Sequence, residues 1–421
     1  MIIPFRPTPD VTTILNQLCD IYERRGEQPR QAVRVDLAEI AANLPGYFSQ
    51  TEPTPRAAAN EQLLGLARLG LLQLTWQPGQ SGHLLQSATL EAAHSQHLYA
   101  LLKREPMAAQ RQRLRQLLLG DRFRLDGWRL QVIEHCLGQL KAQKSPAPFS
   151  LTDDAWNQDL LAALIALPGD ETTAEIPYRV FSVRLFNDSK RFDSLKASIA
   201  RLARRHHSLW RSLSSPEILR ELGLVANPGH LHLYGPWQLV DKAGQVMSLG
   251  EFQPSVGIPA ALAARVQRVR VDAARVVCVE NLAPFYELVR YEGQGLAALC
   301  LWGNPSPVTR HLLRCLTQEL SPAVPLYVWA DIDYGGLNIL AHLRRQVSPR
   351  FAPYRMDATT LEAHAHWAQP LTGADKRNLD RLRHQPALID MVPLIGLMLQ
   401  RELKLEQEAV TLSNADPDAL L

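Results

Sequence analysis

Residues 325–338 read PLYVWADIDYGGLN. The run from Leu326 to Ala330 is apolar. It ends in Asp331-Ile332-Asp333 and is followed by Gly335-Gly336 at the head of a helical pattern, GLNILAHLRRQ. A short apolar run bounded by turn residues reads as a buried strand. Asp331 and Asp333 lie two apart, so in extended backbone their side chains share a face.

The segments upstream repeat this grammar. ARVVCVE (274–280) is a buried strand that delivers Glu280 at its carboxyl edge, and PFYELVRYE is a helix. LAALCLWG (296–303) is a second strand, and PVTRHLLRCLTQEL a second helix. Strands alternating with helices in units of this length predict a parallel sheet with helices on its faces. Functional residues of such sheets gather beyond the carboxyl ends of the strands. Three carboxylates brought together there repel one another unless a cation neutralises them or one is protonated. A hard divalent ion, Mg2+ or Mn2+, takes such oxygen ligands. The competing reading is that these acids only cap the next helices.

Between Tyr178 and Ser212 there are nine Lys or Arg residues against two acids, Asp188 and Asp193. Asp188 is placed to cap a helix that begins near Ser189. On that helix Lys196, Arg201, Arg204 and Arg205 interleave with the apolar Leu195, Ile199 and Leu202, with Lys190 and Arg191 at its start. An amphipathic helix with cationic polar faces suits a phosphate backbone, and these six cations are the expected DNA contacts. The strands HLHLYG and WQLVDKAGQVMSL follow, which suggests a winged helix.

The first hundred residues suggest a smaller unit. Helices are expected over 11–25, over DLAEIAANL capped by Asp36, and over 54–72, followed by a hairpin around Pro-Gly-Gln-Ser-Gly. Residues 97–143 read as basic helices, and Lys144-Ser145-Pro146-Ala147-Pro148 as a linker. The expected architecture is multidomain, α+β and α/β. It comprises a winged-helix-like arm (1–95), a helical connector (96–150), a winged-helix DNA-binding domain (151–265) and a C-terminal α/β domain with a parallel sheet (266–421).

Composition sets bounds on function. The chain has 421 residues, 46% of them hydrophobic and 21% charged, with a formal net charge of +3. That is ordinary globular protein, and any basic footprint is local. Five cysteines without CxxC spacing argue against a zinc site or a disulfide framework. The opening residues lack signal-peptide character and no apolar stretch approaches a membrane span, so a cytoplasmic protein without membrane attachment is expected.

At VENLAPF, WGNPS and YVWADIDYGGLNIL the sequence resembles the Toprim domain of topoisomerases, primases and the topoisomerase VI A subunit. It resembles more closely the JetD nuclease subunits of Wadjet, an anti-plasmid system built around an SMC-like complex. FSVRLFNDSKRFDSL, SPEILRELGLVANPGHLHLYG and the run to GIPAAL are similar to that family's middle region, which has a CAP-like winged helix, and KLEQEAV to its closing motif. Roughly residues 150–421 carry the resemblance. Ala330 departs from the pattern, standing where Gly precedes the two aspartates.

The resemblance implies a metal-dependent endonuclease that hydrolyses double-stranded plasmid DNA. Glu280 would be the Toprim glutamate, and Asp331 and Asp333 would bind Mg2+ or Mn2+. Glu406 or Glu408 would supply a further ligand, although residues two apart on a helix point to different faces and Glu402 would share a face with Glu406. The Gly303-Asn304-Pro305-Ser306 turn would offer amides to phosphate. An SMC-like ATPase, its kleisin and an accessory subunit would be partners, and a homodimer would cut both strands. Two other function classes stay open. One is a topoisomerase VI A-like tyrosine transesterase, with Tyr178 in the right region. The other is a non-catalytic DNA-binding adaptor.

Overall fold

In the computed structural model, which describes residues 6–25, 31–170 and 172–410, the first helix, α1 (Pro9–Arg24), starts where Thr8 accepts a hydrogen bond from the Val11 amide. The chain divides into two units, residues 1–161 and 162–421. In the first, β1 (Val33–Asp36), α2 (Thr54–Arg68), β2 (Gln73–Trp76) and β3 (Leu85–Leu90) follow, and the antiparallel sheet has the order β1-β3-β2. The expected hairpin is present. The helix expected over DLAEIAANL is not. Asp36 ends β1, and its carboxylate accepts the Ala38 amide at 3.1 Å in a local turn, leaving only a 3-10 turn at Ala41–Asn43. Leu37, Ile40 and Leu44 are buried through that irregular segment, so packing rather than a helix orders it.

Helices α3 (Ser95–Leu102), α4 (Met107–Gly120) and α5 (Gly127–Lys141) carry the basic run. Its cations are largely engaged within the unit. Arg104 pairs with Asp20 and Glu23, Arg113 with Glu105 and Asp154, and Arg122 with Glu134. Residues 144–148 pack against α5, where the Cys136 thiol donates to the Pro146 carbonyl at 3.5 Å, and Phe149 beyond them is buried.

Helix α6 (Asp154–Ala166) runs across the division. The second unit continues with β4 (Ile176–Pro177), α7 (Tyr178–Phe186), α8 (Arg191–His206), α9 (Ser215–Glu221) and β5 (Leu224–Val225). Phe192, Leu195, Ile199, Leu202 and Ala203 form the buried stripe of α8, as the sequence pattern requires. Asp188 accepts the Lys190 amide at 2.8 Å just before its first turn.

Next come β6 (His230–Tyr234), β7 (Trp237–Asp241), β8 (Val246–Ser248), β9 (Val256–Pro259), α10 (Ala260–Ala263) and β10 (Val266–Val271). The helix–strand alternation then yields β11 (Arg275–Val279), α11 (Leu282–Glu292), β12 (Leu296–Cys300), α12 (Pro307–Glu319), β13 (Leu326–Trp329), α13 (Tyr334–Gln346) and β14 (Phe351–Pro353). The six-stranded sheet has the order β14-β13-β11-β12-β6-β9. Strands β11 to β14 pair in parallel, while β6 and β9 join antiparallel at one side. The sheet thus draws on residues from both sides of position 265.

That order positions the site. From β11 the chain moves one way to β12, then crosses back to β13 and continues outward to β14. Right-handed crossovers place α11 and α13 on opposite faces. The strand order therefore reverses between β11 and β13, and a crevice opens at their carboxyl ends.

The central strands are apolar throughout, and Val276, Val277, Cys278, Val279, Ala298 and Leu299 are fully buried. A buried ion pair ties α9 to α12. Arg310 donates through both terminal nitrogens to Glu221 at 2.7 and 2.8 Å and also to the Pro305 carbonyl at 3.0 Å. Side-chain exposure is 1% for Arg310 and 7% for Glu221, so neither charge has water to fall back on. Removing one partner strands the other. Arg310→Ala should lower unfolding free energy by about 3–5 kcal/mol in a urea titration, and the Arg310→Ala/Glu221→Ala double variant by less than the sum of the singles. A loss below about 1 kcal/mol would show that the pair behaves as a surface bridge.

Candidate functional site

Glu280 follows directly on β11, and its amide donates to the Trp329 carbonyl at 2.9 Å. The parallel register with β13 therefore carries one residue beyond the last strand pair, Val279 with Trp329. Asp331 begins the turn after β13, and its amide donates to Glu280 Oε2 at 3.1 Å. Two residues 51 apart in sequence are thus locked together at the sheet edge. Ile332 is buried and its backbone pairs with Leu405. Asp333 is also the N-cap of α13, accepting the Gly336 amide at 2.8 Å. Gly336 is required here, because a Cβ at that position would lie 2.1 Å from the Asp331 carbonyl oxygen and 3.0 Å from the Ala330 methyl.

The C-terminal segment closes the site. The chain passes through α14 (Ala358–Ala363), β15 (Gln369–Pro370), α15 (Gly373–Leu382) and α16 (Val392–Arg401) to β16 (Leu403–Lys404). LEQE is not the helix end expected from sequence. Leu405 makes a two-way backbone pair with Ile332, and a 3-10 turn follows at Gln407–Ala409. Backbone pairing with the Asp331–Asp333 turn overrides helical continuation, which stops at Glu402 in a left-handed conformation.

Gln407 is the residue that a search for carboxylates misses. It is buried, its amide donates to Asp331 Oδ1 at 2.7 Å, and its side chain donates to the Trp329 carbonyl at 3.0 Å. Its Oε1 accepts the Asn281 amide at 3.3 Å. Glu408 is exposed and accepts from Asn281 Nδ2 at 3.3 Å, while Glu406 is exposed and accepts from Gln369 at 3.0 Å.

The electrostatics are one-sided. Burial first, then Asp331, Asp333 and Glu408, push the Glu280 carboxyl up to about 8. Burial, then Asp333, Glu408 and Glu406, push Asp331 up to about 6 against the opposing pull of the Gln407 amide. The nearby lysines are committed elsewhere, Lys376 to Glu402 and Lys404 to Asp375. Among the described residues no group of three or more His, Cys, Asp or Glu side chains is arranged to hold a metal ion. The donor set fits a hard cation in its chemistry, being all oxygen and mutually repulsive, and among the described residues no cationic side chain lowers the proton affinity of Glu280 or Asp331. Glu280, Asp331 and Asp333 are the carboxylates at this edge that could hold it.

The six cations expected to face DNA are divided by the structure. Arg201 and Arg205 are exposed on α8, and Lys190 is exposed just before it. Arg204 instead holds the turn to α9, donating to the Leu213 carbonyl at 3.0 Å and Ser215 Oγ at 3.2 Å. Lys196 pairs with Asp193 at 2.6 Å and lies over the Tyr178 ring, and Arg191 is half-buried. Tyr178 packs against Phe192, and burial raises its phenol above the usual range. In the turn before α12, Ser306 accepts the Thr309 amide and Asn304 donates to Glu217, so both side chains serve the fold.

Among the described residues no helix is long and apolar enough to cross a membrane. Residues 236–418 match the family model described as Wadjet protein JetD, C-terminal. Over 404 residues, 94% of this chain and 97% of the relative, the sequence is 22% identical to the Wadjet protein JetD of Bacillus cereus (strain Q1).

The carboxylate cluster has a measurable signature. Without a divalent ion, the raised values favour the protonated carboxyls. Their stabilising effect is full below about pH 4 and is lost as pH rises through about 6 for Asp331 and about 8 for Glu280. Thermal unfolding in EDTA should therefore shift to lower temperature between pH 5.5 and 8.5. Millimolar Mn2+ should offset this increasingly as pH rises, and Glu280→Gln should flatten the profile. A Mn2+ effect that is absent, or equal at both ends of that range, would count against the site.

Proposed function

We propose, from the chain's membership of the JetD family, that it is the DNA-cutting subunit of a Wadjet-type complex and hydrolyses phosphodiester bonds at Glu280, Asp331 and Asp333. The observation that carries this reading is the hydrogen-bonded convergence of Glu280 and Asp331 at the switch point of the sheet, without an internal cation. In this reading the C-terminal α/β region is a Toprim domain. The helices and strands preceding it form a CAP-like winged helix, and residues 1–95 a second winged-helix-like arm. The JetD relationship implies membership of a Wadjet complex with other subunits. An SMC-like ATPase, a kleisin and an accessory subunit would deliver duplex DNA, and a homodimer would supply one site per strand.

Asp331 and Asp333 would bind the divalent ion, with the Gln407 amide fixing the orientation of the first and the Gly336 amide that of the second. Mg2+ or Mn2+ bound there supplies neutralisation of charge on the phosphate and acidification of a nucleophilic water. Glu280 is held by the Asp331 amide, and its proton affinity near neutrality suits it to take a proton from the attacking water. Glu408, linked to the site through Asn281, tunes the local field from its exposed position. Arg201, Arg205 and Lys190 remain the cations best placed to meet phosphates.

Tyrosine transesterification has less support. The Tyr178 phenol is packed under Lys196, and burial disfavours its ionised form.

Glu280→Ala and Asp331→Ala should each lower plasmid cutting with Mg2+ or Mn2+, in the presence of the partner complex, to about a hundredth of wild type or less. Circular-dichroism spectra and DNA retention should stay unchanged. Cutting by Glu280→Ala at the wild-type rate would remove the assignment. Covalent protein–DNA adducts trapped in denaturant would favour the tyrosine route.

A further inference from the structure

A cavity of about 750 Å3 lies beside the β12 turn and is lined in part by Tyr178, Arg220, His230, His232, Trp302 and Ser306. The hydrolytic reading makes no use of it. Its size suits a small organic group, and its walls combine apolar surface with hydrogen-bond donors. Trp302 is the unusual member. It is 49% exposed, so it adds little to the core. Its backbone is left-handed at φ 58°, a conformation that a bulky residue adopts at a cost. The indole Nε1 donates to His232 Nδ1 at 3.2 Å, with ring centroids 5.5 Å apart. Burial and His230 lower the His232 pKa, which keeps the ring neutral and able to accept.

The backbone ties the turn that carries this indole to the end of β11, while the indole itself faces His232 on β6. The Leu301 amide donates to the Val279 carbonyl at 2.7 Å, and the Gly303 amide to the Glu280 carbonyl at 3.2 Å. Trp302 sits between these two contacts, in the turn that follows β12. A side chain that is exposed, strained in its backbone and fixed in ring orientation offers a flat aromatic face rather than core packing.

We propose that this cavity takes a single unstacked base of the DNA strand, stacked on the indole of Trp302, and so sets the register of the phosphodiester against Glu280. The proposal rests on the nuclease reading for its catalytic meaning, though not for binding itself. Stacking accepts any base, because each has a π face, so the subsite would be tolerant of sequence. Arg220 and His230 at the cavity wall supply donors for the oxygen atoms of the base or its phosphate. Presenting a base this way asks the duplex to unstack locally, which is cheapest where the DNA is already bent or open.

The test uses the full chain with a single-stranded oligonucleotide carrying 2-aminopurine, in Ca2+. Wild type and Trp302→Phe should quench the 2-aminopurine on binding. Trp302→Ala should lose the quench and at least about tenfold in affinity, with its unfolding temperature unchanged. If the Ala variant folds poorly, Trp302→Leu keeps apolar bulk without a stacking face and should show the same loss. Binding by wild type without quenching, or quenching by the Ala or Leu variant equal to wild type, would overturn the proposal. Glu280→Gln should still quench. Quenching in a wild-type protein that cuts nothing would therefore remove the nuclease reading alone, and cutting without quenching would remove the base subsite alone.

Discussion

The parallel pairing of β11 with β13 is the constraint on which the rest of the second unit depends. It sets the Glu280 amide on the Trp329 carbonyl and the Asp331 amide on the Glu280 carboxylate. A slip of one residue in that register would turn Glu280 into the sheet face and break both bonds. It would also move the fully buried apolar side chains of Val276, Val277 and Cys278 out of step with β13. The apolar core therefore enforces the position of the charged edge. Because the strand order reverses between these two strands, their following helices leave a crevice where the carboxylates emerge.

Three further features secure that edge. Leu405 and Gln407 strap the C-terminal segment over the Asp331–Asp333 turn, satisfying Asp331 Oδ1 and the Trp329 carbonyl. Gly336 lets α13 begin against the Asp331 carbonyl, since a Cβ at that position would lie 2.1 Å from its oxygen. The buried Arg310–Glu221 pair anchors α12 to α9, which fixes the preceding turn that contacts Glu280. Each device is polar or steric, and together they hold carboxylates close enough to raise one another's proton affinity. That repulsion is a cost to the folded chain, and a divalent ion bound there would relieve it.

Much of this was legible in the sequence. The apolar runs before Glu280 and Asp331 are short, bounded and free of Gly or Pro, so their strands could be read directly. The interleaved α8 pattern and the hairpin after α2 were equally plain. Strand order was not legible, because nothing local specifies that β13 lies beside β11 rather than β12. Gln407 escaped notice because a neutral amide carries no metal-ligand signal, and its role arises from bonds to Asp331 and Trp329, far away in sequence, beside the Leu405–Ile332 backbone pair. The helix expected at Asp36 failed because an Asx-type turn competes with an N-cap for the same carboxylate. Arg204 looked like a phosphate contact, but its guanidinium serves the Leu213 carbonyl, and periodicity cannot distinguish these uses. The role of Trp302 depends on a left-handed backbone that only the fold reveals.

The account rests on a divalent ion bound by the strand-end carboxylates. Crystals of the protein soaked in Mn2+ and measured at the manganese absorption edge test this directly. The account predicts an anomalous peak within coordination distance of Asp331 and Asp333, adjoining Glu280, and its disappearance in Asp331→Ala. A peak at another site, or density at the carboxylates that remains water in saturating Mn2+, would contradict it.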